Sequence, residues 1–255
     1  MTPAAPQSLL ENSGLAFVGE PSWTPAGLTA AQAHTLGGGR NPTSRPNGDV
    51  LRHYRGVKSG RAHAHWQVDF PRHYPEQEAA LYLEPYRHLR SRLRDFSGPW
   101  WLSPSAQPEL RTALARLERF LATPRAATAP VWDWIDSNLL PDDSLLAVAR
   151  DDDFTQGLLS SRFFRIWWHR YSPCISAPAV VISFPFPWPP ATLLSSLTRV
   201  QEEQRLALAR AARRGETTQL TAAVATLYGW PADLTDDEVL ARLTALNRQR
   251  TPTGL

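Results

Sequence analysis

"AVVISFPFPWPP", residues 179–190, decides how the chain divides. Ala179–Phe184 is a short apolar run rich in β-branched residues, which predicts a strand. Phe184-Pro185-Phe186-Pro187-Trp188-Pro189-Pro190 then places four prolines in seven residues. Such a run can be neither helix interior nor central strand, because proline lacks the amide hydrogen and fixes φ. The prolines therefore end a strand and stiffen a junction, with three aromatic rings free to pack on either side.

Composition differs across that junction. On its N-terminal side, "LAFVGE" (15–20), "VLRHYRG" (50–56), "AHWQVDF" (64–70), "PVWDWID" (130–136) and "SLLAVAR" (144–150) predict strands. "LTAAQAHTL" (28–36) predicts a short helix near Thr29, and residues 36–49 a flexible turn region. Residues 75–96 predict helix interrupted at Pro85, and 108–123 an amphipathic helix with Leu110, Leu114, Leu117 and Leu121 in register. Residues 155–171 predict a helix crowded with aromatics. On the C-terminal side, 191–228 reads as helix broken near Gly215. Residues 235–250 read as a last helix with Thr235 as its cap and acids in its first turn. The expected fold is α+β. A mixed α/β domain spans residues 1–190, followed by a small helical segment over 191–255.

The chain has 255 residues, 42% hydrophobic and 20% charged, enough for a sizeable core. Lys58 is the one lysine, so the 27 basic residues are nearly all arginine, against 24 acidic ones. A net charge of +3 argues against an acidic DNA mimic without establishing nucleic-acid binding. One cysteine, Cys174, allows neither an internal disulfide nor a cysteine zinc site. The absence of an N-terminal signal pattern and of a long apolar run predicts a cytoplasmic protein with no membrane span.

No catalytic set stands out. "LGGGR" (36–40) lacks the spacing of a phosphate-binding loop and reads as a turn. "HAH" (63–65) puts two imidazoles on one side of a strand without a third ligand. "DDD" (151–153) offers a cation carboxylates, but helix-capping carboxylates in a solvated turn fit it better. "SSRFFRIWWHRYS" (160–172) is more informative. As a helix it gathers residues 162, 165, 166 and 169 on one face and 163, 164, 167, 168 and 171 on the other. One face is then core and the other basic. The arginines either lie against a phosphate backbone or merely face water.

Several blocks in order carry a resemblance: "RHYRG", "HWQVDFP", "EAALYLEPYRHLRSRL", "PELRTALARLERFLATPR", "VWDWIDSNLLPDDSLLAVARDDDFTQGLLSSRFFRIWWHR", "SFPFPWPP" and "LYGWPADLTDDEVLARLTALNRQR". Together they resemble the C-terminal target-recognition region of MmeI-like (type IIL) restriction–modification proteins and their DNA adenine methyltransferase relatives. The resemblance implies a recognition module for double-stranded DNA. It also implies that the chain works with a separate methyltransferase or restriction subunit. The sequence shows no Asn-Pro-Pro-Tyr loop and no S-adenosylmethionine glycine motif, so no cofactor is expected in this chain and S-adenosylmethionine only in that partner. Carried over by position, Arg125, Arg162, Arg165, Arg170 and Ser172 become DNA-contact candidates. Thr123 joins them from the Ala122-Thr123-Pro124-Arg125 block, His169 from the basic helix face, and Lys58 and Arg61 from the turn at 56–60. The competing expectation is a non-catalytic protein-interaction subunit of an anti-phage defence complex. It would dock through Trp100, Trp101, Trp167 and Trp168 if those were exposed.

Overall fold

A computed structural model describes residues 5–23, 27–39, 41, 44–93 and 98–251. The chain runs β1 (Ala16–Val18), α1 (Ala30–Gly37), β2 (Leu51–Lys58), β3 (Arg61–Val68), α2 (Glu76–Ala79), α3 (Leu83–Arg92) and α4 (Pro108–Leu114). It continues through β4 (Arg119–Pro124), β5 (Asp133–Asp136), β6 (Leu140–Pro141), β7 (Leu145–Val148), α5 (Asp153–Ser160) and α6 (Arg162–Tyr171). Four more helices close it: α7 (Ala177–Ser183), α8 (Arg199–Arg214), α9 (Thr217–Tyr228) and α10 (Asp236–Arg250). The fold is α+β, as the sequence predicts.

Two sheets form. The larger has the order β1-β7-β4-β5, all antiparallel; the smaller is β3-β2-β6, with β6 parallel to β2. β2 and β3 make a hairpin closed by Ser59 and Gly60, both left-handed at φ 51° and 73°. That is the turn whose twist matches a two-residue hairpin. The predicted glycine-rich turn at 36–49 and the end of the predicted 75–96 helix lie partly outside the described residues.

Three sequence expectations are corrected. The helix expected over 108–123 stops at Leu114, and Arg119–Pro124 is a strand. β4 lies between two neighbours in the sheet, with Phe120, Leu121, Ala122 and Thr123 all buried. A strand covered on both faces reads as an unbroken apolar run, and the leucine spacing carried the helical pattern into it. The strand expected over 179–184 is instead α7, with a proline in its first turn, a position that tolerates it. A short apolar run cannot by itself separate a buried helix from a buried strand. The single helix expected over 155–171 is two, because Ser161 is extended and caps α6 by accepting from Phe164 N. The Gly215 break and the Thr235 cap lie where the sequence places them.

One aromatic core joins the two compositional halves. Phe163, Phe164, Trp167, Phe184 and Phe186 pack with Leu208, Val224, Val239 and Leu243 of the C-terminal helices. The proline block lies inside this packing, not at a gap in it. Several carbonyls in and beside it, which have no strand partners, are taken by side chains. Tyr228 Oη donates to Pro185 O at 2.8 Å, Arg250 Nη1 to Phe186 O, and Asn247 Nδ2 to Ser183 O at 2.7 Å. Trp188 stacks on Phe154 with centroids 5.1 Å apart.

A buried ion network ties the sheets to α4. Arg111 Nε and Nη2 donate to the two oxygens of Glu20 at 2.7 and 2.6 Å, and Nη1 donates to Asp69 at 2.6 Å. Tyr54 Oη donates to Glu20 at 2.8 Å. Both carboxylates are almost wholly buried. Burial holds the Asp69 carboxyl above its usual range in spite of Arg111, and pushes the Tyr54 phenol up as well. Burial disfavours the charge on Arg111, but the Glu20 hydrogen bonds and the charge of Asp69 outweigh it, so its pKa rises.

Candidate nucleic-acid interface

α6 is positioned by its aromatic face. Phe163, Phe164, Trp167, Trp168 and Tyr171 are all buried, as the helical spacing predicts. Both indole nitrogens are satisfied: Trp167 Nε1 donates to Val180 O and Trp168 Nε1 to Ala127 O, each at 3.1 Å. The second bond fastens α6 to the loop between β4 and β5. A further contact of 3.2 Å joins Tyr171 Oη to Thr244 Oγ1 on α10. The opposite face of α6 is thereby turned outward, with Arg165 and His169 exposed and Arg162 and Arg170 half-buried.

Arg162, Arg165, Ile166 and His169 line one wall of an open cleft of about 340 Å³. Thr128, Ala129 and Pro130 of the β4–β5 loop make the second wall, and Asp236 at the start of α10 the third. Arg165 and His169 have no acidic partner among the described residues. Arg162 has one: its Nε donates to Asp236 Oδ1 at 2.8 Å, while Nη2 donates to Leu234 O at 2.9 Å.

The same β4–β5 loop leads from this cleft to a second one. Pro124, at the end of β4, helps to line a space of about 670 Å³ beneath the β2–β3 hairpin. Arg55, Val57 and Ala62 form the hairpin side; Asp133, Trp134 and Asp136 form the opposite side. Lys58 and Arg61 face each other across the hairpin end, exposed and without ion-pair partners among the described residues. Strand alternation puts them on the hairpin face opposite Val57 and Ala62.

The nine sequence candidates therefore separate. Arg162, Arg165 and His169 share the first cleft. Arg170 points elsewhere, with its guanidinium 5.5 Å from the Tyr171 ring centroid, and Ser172 is the residue that ends α6. Arg125 is exposed in the loop between the two clefts, its amide donating to Ser144 O at 2.8 Å. Lys58 and Arg61 form the hairpin tip. Thr123 is 1% exposed in the middle of the sheet, where it lines the second cleft with its hydroxyl buried and without a hydrogen-bond partner among the described residues. Sequence reasoning missed Asp236, Thr128 and Pro130. Asp236 was legible only as an acid in a helix's first turn, since its partner lies 74 residues away.

The remaining motifs resolve structurally. His63 and His65 stack with centroids 5.4 Å apart, and among the described residues no group of three or more ligating side chains could hold a metal ion. Asp152 caps α5 by accepting from Thr155 N, and Asp153 pairs with Arg119 and Arg213. Trp167 and Trp168 are buried, and Trp100 and Trp101 pack partly buried against the smaller sheet's core. Among the described residues no helix is long and apolar enough to cross a membrane.

No family model matches the chain, and no curated protein matches it. Its fold is similar to that of a solved structure of the type IIL restriction–modification enzyme MmeI in complex with DNA. The TM-score is 0.50 at 15% sequence identity, over 97% of this chain and 35% of that one. This chain thus spans about a third of that enzyme's length, and what the two share is the architecture.

Proposed function

We propose that this chain binds double-stranded DNA as a target-recognition module and serves a separate methyltransferase or restriction subunit, which carries the catalytic residues and S-adenosylmethionine. The observation that carries this reading is the likeness of nearly the whole chain to part of a restriction–modification enzyme solved with DNA. It is supported by exposed cations without ion-pair partners among the described residues: Arg125 on the β4–β5 loop, Arg165 beside the first cleft, and Lys58 and Arg61 at the hairpin tip. Arginine suits this work because its planar fork matches both phosphate and a guanine edge. Phosphate contacts position the module, and base-edge contacts supply selectivity of about 1–3 kcal/mol per good bidentate pair.

Selection from a randomised duplex pool at two salt concentrations tests this reading. Enrichment of one short motif, with affinity falling steeply as salt rises, is expected. No binding at either salt would leave the second reading, a protein-interaction subunit. That reading is favoured by Leu193, Leu194 and Val200, large apolar side chains that are all more than 60% exposed within eight residues.

A further inference from the structure

The cleft beside α6 contains an anion already. Asp236 contributes Oδ1 to the Arg162 guanidinium and stands opposite Arg165 and His169. The titratable groups lining the cleft are Arg162, Arg165 and His169 on α6 and this one carboxylate on α10. The β4–β5 loop adds no charge, only Thr128, Ala129 and Pro130.

Three features make the carboxylate exchangeable. Asp236 is 69% exposed, and ion pairs of such exposure contribute little to stability. It has no part in capping α10, which is closed by Thr235 and Glu238 reciprocally. Arg162 does not depend on Asp236 for its place either, because Nη2 is also held by Leu234 O. A ligand that took the position of Asp236 would find Arg162 oriented, with Arg165 and His169 beside it.

We infer that Asp236 is an internal stand-in for a DNA phosphate, and that a backbone phosphodiester displaces it to bind Arg162, Arg165 and His169 together. This rests on the DNA-binding reading. The site makes DNA binding weaker than Arg162, Arg165 and His169 would give alone, because Asp236 must leave first. Removing that competitor strengthens binding. Removing Arg165 weakens it and reduces its salt dependence by about one counterion.

The test compares duplex affinity of the full chain with Asp236→Asn, Asp237→Asn and Arg165→Ala across a salt series. Asp237 is exposed, adjacent in sequence and absent from the cleft, so its variant removes the same charge without freeing Arg162. Asp236→Asn is expected to bind about fivefold more tightly than Asp237→Asn, equivalent to about 1 kcal/mol. A chain that binds only as Asp236→Asn would support the inference most strongly. Equal effects of the two Asn variants would overturn it while leaving DNA binding intact. Absence of binding by every variant would overturn the DNA reading and this inference with it.

Discussion

Arg111 reaches two buried carboxylates with one guanidinium, and no motif in the sequence announces it. Its partners Glu20 and Asp69 come from segments 91 and 42 residues away. Arg111→Ala leaves Glu20 buried with only neutral donors and Asp69 buried with only Arg52, 3.9 Å away, and the expected loss is about 3–5 kcal/mol in urea unfolding at neutral pH. The pH dependence has a definite sign. A carboxyl whose folded pKa is raised stabilises the fold below its ordinary value, and that contribution fades as pH rises through the folded value. Burial already raises Asp69, and losing Arg111 raises it further. The deficit of Arg111→Ala is therefore largest at pH 7.5 and shrinks toward pH 5. A constant deficit over that range would show that the stranded carboxylates are not its source. At this scale the sequence was legible for α6, where alternating basic and aromatic residues sort to opposite faces. It was not legible for Arg111 or Asp236, whose partners are distant in the sequence.

Elements were read well where local chemistry defines their ends. Thr29 and Thr235 each cap a helix through a reciprocal capping box, and Gly215 ends α8 in the left-handed conformation, whereas the helix expected from residue 191 begins only at Arg199, capped by Thr198. They were misread where a buried surface hides the period, as in β4 and α7. The β2–β3 hairpin shows a local cost that remains in the fold. Ser59 adopts φ 51°, a region that costs most L-residues about 1–2 kcal/mol and that Asn tolerates better. Ser59→Asn should stabilise the protein by about 0.5 kcal/mol, seen as a higher urea midpoint with unchanged slope. A lower midpoint would mean that the serine serves the turn in another way.

For the whole molecule, the change in composition at the proline block is real, but the packing runs across it. The prediction follows from the shared core. Deleting residues 191–255 removes Leu208, Leu220, Val224, Val239 and Leu243 from beside Phe163 and Trp167. It also strands the carbonyls of Ser183, Pro185 and Phe186. Residues 1–190 alone should show no cooperative thermal transition. A sharp transition would show that the first part is an independent domain. The sequence reveals two compositions because helix-forming residues cluster after residue 190. It cannot reveal that both parts complete one core, since that depends on contacts between them.

The bonds between Gln7 and Asn247, 3.1 Å in one direction and 2.8 Å in the other, join residues 240 positions apart. Asn247 also closes onto Ser183, and Arg250 pairs with Glu11. On a translating ribosome, the first of these partners waits for the second through roughly 12–48 s of synthesis at about 5–20 residues per second. Phe184 and its neighbours emerge well before the last helix that covers them. The nascent chain therefore carries an open aromatic surface while residues 191–250 are being made.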